Sequence, residues 1–520
     1  MSSKQNWSKS YKKPQQEDKY IQRLPFFFRH LPESEIQNLK LPPHAPYSVS
    51  SFDDAFQNAY FLSKVLKTTK LVVDLTACSG VDSICMAMVF QNLISYEIDT
   101  PAFESLQNHF QIAKMQGYNI GKYELKNESG AAEISISRQN TLYFLDPPWG
   151  GPDYRNKQNI RLDYGEYIVD ELAKKLSTDK TNSVFLKLPK NYDMSQFDLQ
   201  NSIIFKERNQ IFVLISDQAN IAVAKQIKES VYDNSGRKKI QSLTSLIQQN
   251  IGDRKGLTEA FKDNMLAQQA QLMNQKLNKY RKFNDFGFFH SKQVSFGVIT
   301  GFVIPEAQKG ETDGPSGAIR LAIMLALNYN VKITIFTENI LITPIQEMLK
   351  YVYGIFPFLP QFELISPSNP EINSIFKRQN VLFYVEKVGP TVSGKPLSMR
   401  GIDCSEFVSE LFSSIDVLSF GIGDGGNEIG CGCVNPDINC VIKTDFVVLS
   451  DISNYGAGWL SRIINQRCFA RFLMLNLDER ELVQSGVKHG LIDGVTCKNE
   501  ISVDGVDFDM YQQTMKQLYE

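Results

Sequence analysis

From residue 71 to residue 225 the chain repeats one rhythm, a short apolar run followed by a longer stretch with helical spacing. The runs are LVVDL (71–75), NLISYEI (92–98), TLYFLDP (141–147), SVFLKLP (183–189) and QIFVLIS (210–216). Runs so short and so apolar suit strands buried on both faces, and the segments 103–115 and 167–176 between them suit helices. Strand and helix in alternation predict a parallel sheet covered by helices on both faces. A second alternating region opens at VSFGVITGF (294–302). It continues through GAIRLAIMLALNYN (317–330), VKITIFT (331–337), NVLFYVEKV (380–388), DVLSFGI (416–422) and DFVVLSD (445–451). No motif is shared between the halves, so the chain reads as two α/β domains fused end to end, the second with a parallel or mixed sheet and flanking helices.

The expected boundaries are a polar, proline-punctuated arm at 1–45 with one short helix near 33–39, a first domain at 46–225, a helical linker or set of opening helices at 226–285, and a second domain at 286–520. A length of 520 residues allows two large domains or three small ones. With 42% hydrophobic and 22% charged residues, the composition excludes a disordered or fibrous chain. No apolar run has the length of a membrane span. The first twenty residues lack the look of a signal or transit peptide, which predicts an intracellular home, cytoplasmic or nuclear, with the mitochondrion not excluded. A net charge of −2 argues against a broad basic face for long nucleic acid. Cys431, Cys433 and Cys440 cluster without paired C-x-x-C knuckles or a histidine pair, which reads as idle thiols rather than zinc.

VVDLTACSGVDSI (72–84) reads as a strand ending in Asp74, a turn of small residues around Gly80 and a helix beginning near Asp82 or Ser83. Such a turn brings backbone close to a ligand at a helix N-terminus. Glu97 ends the next run, where nucleoside-binding sheets place an acid for ribose hydroxyls; an ordinary strand-end carboxylate is the competing reading. DPPWGGPDY (146–154) follows a later strand. Its two prolines fix φ and donate no backbone hydrogen bond, so the carbonyls are held rigidly toward a ligand. Methyl transfer from a sulfonium to an exocyclic ring amine needs such acceptors, because hydrogen bonds from the amine's two hydrogens favour the pyramidal, nucleophilic nitrogen. Asp146 and the Pro147 carbonyl are the candidates. Trp149 offers a flat face for the base, stronger for a cationic one.

Together these motifs resemble the trimethylguanosine synthases, S-adenosylmethionine-dependent enzymes that methylate N2 of a 7-methylguanosine RNA cap. The resemblance spans roughly residues 45–200 through YSVS (47–50), DLTACSGVDSI (74–84), YEID (96–99), DPPWGGPDY and LKLPKN (186–191). It implies a Rossmann-like class I methyltransferase sheet. It also implies S-adenosyl-L-methionine contacts at Asp74, Thr76, Gly80 and Glu97, base contacts at Asp146, Pro147 and Trp149, and cap-phosphate contacts at Lys187, Lys190 and Asn191, with a capped RNA 5′ end as partner. The mRNA N6-adenosine methyltransferases also carry D-P-P-W, but before their cofactor loop, whereas here the loop comes first; N6-adenine methylation stays as an alternative. Val81 replaces a glycine common among relatives, and Asp146 stands where many members carry serine.

The second half holds GETDGPSGA (310–318), VEKVGP (385–390), SMRGIDCS (398–405), FGIGDGGNEIGCG (420–432) and SDISNYGAGW (450–459). Most follow an expected strand, so their acids and glycines converge on one rim of a sheet and imply a pocket. These motifs resemble the C-terminal domain of D-glutamate cyclase, which converts D-glutamate to 5-oxo-D-proline and water, over most of residues 240–520, including IGDRKGL (251–257). Ring closure needs a neutral amine and a γ-carboxyl that is held and protonated. Arg400 is the candidate carboxylate clamp. Glu311, Asp313, Glu386, Asp403, Asp424 and Glu428 are candidates for proton transfer, with Asn427 as an orienting amide; no residue is assigned to a metal, although clustered carboxylates could instead hold a divalent cation. Ser393 and Ser398 replace an acid and an amide of relatives. A structural or regulatory subunit with decayed sites is the rival to a two-domain enzyme.

Overall fold

A computed structural model of the protein describes residues 28, 31, 33–42, 49–197, 200–207, 210–231, 237–251, 253–280, 293–357, 359–409, 416–465 and 468–520. Most of the polar arm lies outside the described residues, as do Tyr47 and Ser48; the short helix expected near 33–39 is the single turn Glu33–Ile36. The chain divides into two compact units, Met1–Lys228 and Glu229–Glu520.

Unit 1 runs α1 (Phe52–Val65), β1 (Leu71–Asp74), α2 (Val81–Val89), β2 (Asn92–Tyr96), α3 (Thr100–Met115), β3 (Lys122–Lys126), β4 (Thr141–Leu145), α4 (Val169–Leu176), β5 (Ser183–Pro189), β6 (Ser202–Glu207), β7 (Gln210–Ile215) and α5 (Gln218–Val231). Its sheet has the order β3-β2-β1-β4-β5-β7-β6, the Rossmann-like arrangement of class I methyltransferases. β1 to β5 are parallel, and β7 is antiparallel to both its neighbours. That last pair departs from the all-parallel expectation: only two residues join β6 to β7, too few for a crossover. β3 and β6 are strands that the apolar runs do not predict. KYELK at β3 is a sheet-edge strand with alternating exposure, so it leaves no apolar run. The order of strands reverses between β1 and β4, the crevice where open α/β sheets bind ligands. Asp74 ends β1 and Asp146 follows β4 directly.

Unit 2 opens with α6 (Arg237–Ile247), α7 (Leu257–Asn264) and α8 (Leu266–Asn278). There follow β8 (Val294–Thr300), α9 (Pro315–Asn328), β9 (Val331–Phe336), α10 (Ile342–Ile355), β10 (Glu363–Ile365), α11 (Ile372–Lys377), β11 (Val381–Val385), β12 (Leu418–Gly423), β13 (Phe446–Leu449) and α12 (Ser453–Ile464), then α13 (Cys468–Asn476), α14 (Glu479–Lys488) and α15 (Phe508–Tyr519). The sheet order is β10-β9-β8-β11-β12-β13, and every pairing is parallel. Here the switch point lies between β8 and β11. α9 and α12 are buried all round, as helices clad on every side must be. They meet at Gly317, where a Cβ would stand 2.7 Å from the Asn454 Cα. The N-termini of both helices follow loops at the carboxyl edge of the sheet. Among the described residues no helix is long and apolar enough to cross a membrane.

Candidate functional site

In unit 1 the turn after β1 is built by internal hydrogen bonds. Asp74 is fully buried and accepts from Ser83 Oγ at 2.5 Å and from the Thr76 N–H at 3.0 Å. Burial pushes its carboxyl up to about 7 against those two bonds. Asp74, for which the resemblance implies a cofactor contact, shapes the loop through these two bonds. Gly80 adopts φ +89° as the N-cap of α2, and no side chain caps that helix. A ligand oxygen suits such an end, so the turn fits the cofactor that the sequence motifs imply. Glu97 accepts from the Cys78 N–H and the Asp99 N–H, both at 2.8 Å, which fastens the turn to the end of β2. Asp99 in turn caps α3 through the Ala102 N–H at 3.1 Å.

Thr76 ties this turn to the second motif, because its Oγ1 accepts the Asp146 N–H at 2.7 Å. Asp146 sits 2.7 Å from Lys187 Nζ on β5. Lys187 also reaches Ser50 Oγ at 2.5 Å and Asp82 at 3.7 Å, and Ser50 donates to Asp82 at 2.5 Å. Burial raises the Asp146 carboxyl to about 6, Lys187 pulling it down and Asp82 pushing it further up. Burial alone would lower the Lys187 ammonium, but Asp146 and Asp82 overcome it and hold the charge. Lys187 was expected to meet cap phosphates; the structure buries it on two carboxylates instead. Lys190 is exposed. Asn191 donates to the carbonyls of Tyr154 and Lys157 at 2.8 and 2.7 Å, so it braces the 151–160 loop rather than offering those donors to a phosphate. Pro147 is buried, while Trp149 is half-buried at the edge of the core, its ring 5.2 Å from Tyr154 at 81°. The indole Nε1 is close enough to Asp146 to lower its proton affinity, yet has no partner in hydrogen-bonding geometry.

In unit 2 the acids expected to converge largely do. Asp313, Glu386 and Asp424 are buried, and one oxygen from each lies within 4.8 Å of the others. Asp313 accepts the N–H groups of Ser453 (2.8 Å), Asn454 (2.9 Å) and Gly314 (2.9 Å), capping α12. Asn454 completes the junction by accepting the N–H groups of Gly314 and Gly317 at 3.0 and 2.7 Å. Glu386 follows β11 with φ +47°, a strained conformation for a glutamate, and accepts from Ser453 Oγ at 2.6 Å. Asp424 follows β12 and pairs with Arg254 at 2.6 Å; Arg254 also holds Asp504 at 2.7 Å. Glu311 packs against Gly494, where a Cβ would come within 2.3 Å of its Oε2. Glu428 accepts the N–H groups of Asp424, Gly425 and Gly426 at 3.2, 2.8 and 2.8 Å, and Asn427 donates to the Leu397 carbonyl at 3.0 Å.

Burial, reinforced by the neighbouring acids, raises Asp313 to about 8 and Glu311, Glu386 and Asp504 well above their ordinary range. Asp424 rises to about 7 by burial even against Arg254. Two expected members stay away. Arg400 is half-exposed and engages Glu306 at 2.9 Å and the Val495 carbonyl at 3.1 Å. Asp403 pairs with exposed Lys395 at 2.7 Å, and that bond with those from Ser405 holds its carboxyl low. Both lie on a loop between β11 and β12, whose excursion the sequence motif did not reveal. Conversely, sequence reasoning does not reach Arg254 and Asp504; the resemblance at IGDRKGL is the signal for the arginine, and the turn VDGVD (503–507), outside the quoted motifs, gives none for Asp504.

Residues 243–519 match the family described as D-glutamate cyclase-like, C-terminal, and residues 69–249 match the RNA cap guanine-N2 methyltransferase family. An uncharacterized protein of Acanthamoeba polyphaga mimivirus is 33% identical over 130 residues, 25% of this chain and 50% of that protein. The human mitochondrial D-glutamate cyclase is 24% identical, over 38% of this chain and 40% of that protein. The chain thus matches half or less of the length of these curated relatives. Among solved structures, a putative O-methyltransferase from Klebsiella pneumoniae shares 14% identity over 37% of this chain and 90% of its own, with a TM-score of 0.26. A Thermus thermophilus 16S rRNA N2 methyltransferase in complex with AdoMet and guanosine shares 14% over 33% of this chain and 44% of its own, with a TM-score of 0.25.

Proposed function

The chain belongs to the D-glutamate cyclase-like, C-terminal family, and from that premise we propose that unit 2 closes D-glutamate to 5-oxo-D-proline and water, while unit 1 methylates N2 of a 7-methylguanosine RNA cap. For unit 2 the carrying observation is the set of buried acids whose proton affinities burial has lifted toward neutrality. Lactam formation removes two protons from the substrate ammonium and one oxygen from the γ-carboxyl, and these leave together as one water. Groups that trade protons near neutral pH suit that transfer. Glu386 would take a proton from the ammonium, and Asp313, braced by three N–H groups, would pass one to the departing oxygen. Asn427 and the glycine turn at 425–426 would orient the chain of the substrate. Incubation of the full protein with D-glutamate is expected to yield 5-oxoproline, with L-glutamate slower and Glu386→Gln inactive; a flat time course with both enantiomers removes the reading.

For unit 1 the carrying observation is a half-buried indole directly after an acid and two prolines, at the switch point of the sheet. S-adenosyl-L-methionine, held by the 76–80 turn and Glu97, would supply an electrophilic methyl group. Asp146, kept ionised by Lys187, and the Pro147 carbonyl would accept the two amine hydrogens, and Trp149 would stack on the cationic base. Incubation with methyl-labelled S-adenosyl-L-methionine distinguishes acceptors: 7-methylguanosine-capped RNA is expected to gain label from the cofactor, and uncapped RNA to gain none. Label on uncapped adenosine would transfer the reading to N6-adenine methylation.

A further inference from the structure

We infer that Asp313, Glu386 and Asp424 form a binding site for a hard divalent cation. The three residues stand at the carboxyl edge of one parallel sheet, on the loops after β8, β11 and β12. Their oxygens lie within 4.8 Å of one another, about twice a Ca²⁺–oxygen bond of ~2.4 Å, so one ion can touch all three. The donor set is oxygen only, which selects Mg²⁺, Mn²⁺ or Ca²⁺ over thiolate- or imidazole-loving metals.

Two further oxygens point to a ligand there. Thr300 Oγ1, at the end of β8, is fully buried without a hydrogen-bond partner. It lies beside Gly314, where a Cβ would be 3.0 Å from it and 2.7 Å from the Glu386 Cβ. Asn427 Oδ1, on a side chain 2% exposed, is likewise buried and unpartnered. It overlies the turn that carries Asp424, 2.9 Å from the place a Gly425 Cβ would take. A buried amide oxygen accepts only, so what satisfies it must be a donor or a cation. Charge argues the same way. Arg254 is shared between Asp424 and Asp504, which leaves Asp313 and Glu386 without a basic side chain in an ion pair among the described residues. Buried carboxylates in excess demand neutralisation by protons or a metal.

Asp313 Oδ1 takes the N–H groups of Gly314 and Asn454, whereas Oδ2 takes that of Ser453 alone and so retains a lone pair that an ion can use. The site does not depend on which reaction the pocket performs, so binding is measured with no amino acid present. Calorimetric titration of MgCl₂, MnCl₂ and CaCl₂ into chelator-stripped full-length protein is expected to show one saturable site per chain for at least one of the three. The unfolding midpoint should rise with that ion, because it binds the folded state alone. Asp313→Asn and Glu386→Gln should each weaken binding at least tenfold, while Asp403→Asn, on the exposed loop, should bind as the parent does. Circular dichroism in chelator checks that each variant is folded. A lack of saturable binding for all three ions at millimolar concentration overturns the site, as does undiminished binding in a folded Glu386→Gln protein. If the ion binds and D-glutamate is not consumed, the cation site stands and only the cyclase reading falls.

Discussion

Replacing Lys187 with methionine keeps its packing stem and deletes one buried charge. In the parent that ammonium lies 2.7 Å from Asp146 and 3.7 Å from Asp82, and a contact of 2.7 Å corresponds to about 6 kcal/mol of gross attraction at an effective dielectric near 20. Removing one partner of a buried pair costs about 3–5 kcal/mol when the other must stay charged. Asp146 can escape by taking up a proton. Its carboxyl is already lifted to about 6, first by burial, with Lys187 restraining it; without the lysine it rises further. A carboxyl whose affinity is raised on folding binds its proton more tightly in the native state, so stability falls as pH rises from the unfolded value toward the folded one. In the parent this loss is complete near pH 6, whereas in Lys187→Met it continues to higher pH. Urea unfolding of the full chain should therefore show a modest loss at pH 5.5 and a loss larger by about 1.4 kcal/mol per unit of further pKa rise at pH 8. The methyl-transfer profile should move with it, since an acceptor must be ionised: activity rises through about pH 6 in the parent and at least one pH unit later in the variant. Equal destabilisation at both pH values would refute a charge-controlled Asp146, as would an unmoved activity profile.

Two more outcomes follow from unit 2. Glu386→Gly releases a left-handed residue and removes a buried acid, so the unfolding midpoint should rise by the equivalent of about 1–3 kcal/mol while 5-oxoproline formation ceases; a lower midpoint in thermal unfolding would show that the carboxylate is structural. Asn454→Ala strips the acceptor from the Gly314 and Gly317 N–H groups at a junction without solvent, and denaturant unfolding should report a loss of about 2–4 kcal/mol for two orphaned donors. A loss under about 0.5 kcal/mol would mean that α9 needs no such acceptor.

Local pattern carried a good part of the architecture. Apolar runs marked β1, β2, β4, β5 and β7 because strands buried on both faces must be apolar throughout. The same logic missed β3, an edge strand with alternating exposure, and β10, three residues long. Both sheets share an order that reverses beside their first strand, although no motif links the halves, because strand order depends on packing that many sequences satisfy. In the first site the sequence named Asp146, Pro147 and Trp149 through proline and glycine spacing, which is local chemistry. The resemblance implies a phosphate contact for Lys187, and nothing within LKLPKN says that β5 lies beside β4, where this side chain meets Asp146.

The sequence by itself determined the building blocks: which segments become strands, that acids and glycines end them, and that those ends are where a ligand would lie. Tertiary structure decided which of these groups meet. Arg254 reaches Asp504 across 250 residues of chain, and Asp313 caps a helix that begins 140 residues later, whereas Arg400 and Asp403, equally rich in charge, are carried outward on a loop. Charge and hydrogen-bonding capacity belong to single residues and can be read in order along the chain. Burial and distance belong to pairs brought together by the sheet, and it is these that set the proton affinities on which the proposed chemistry depends.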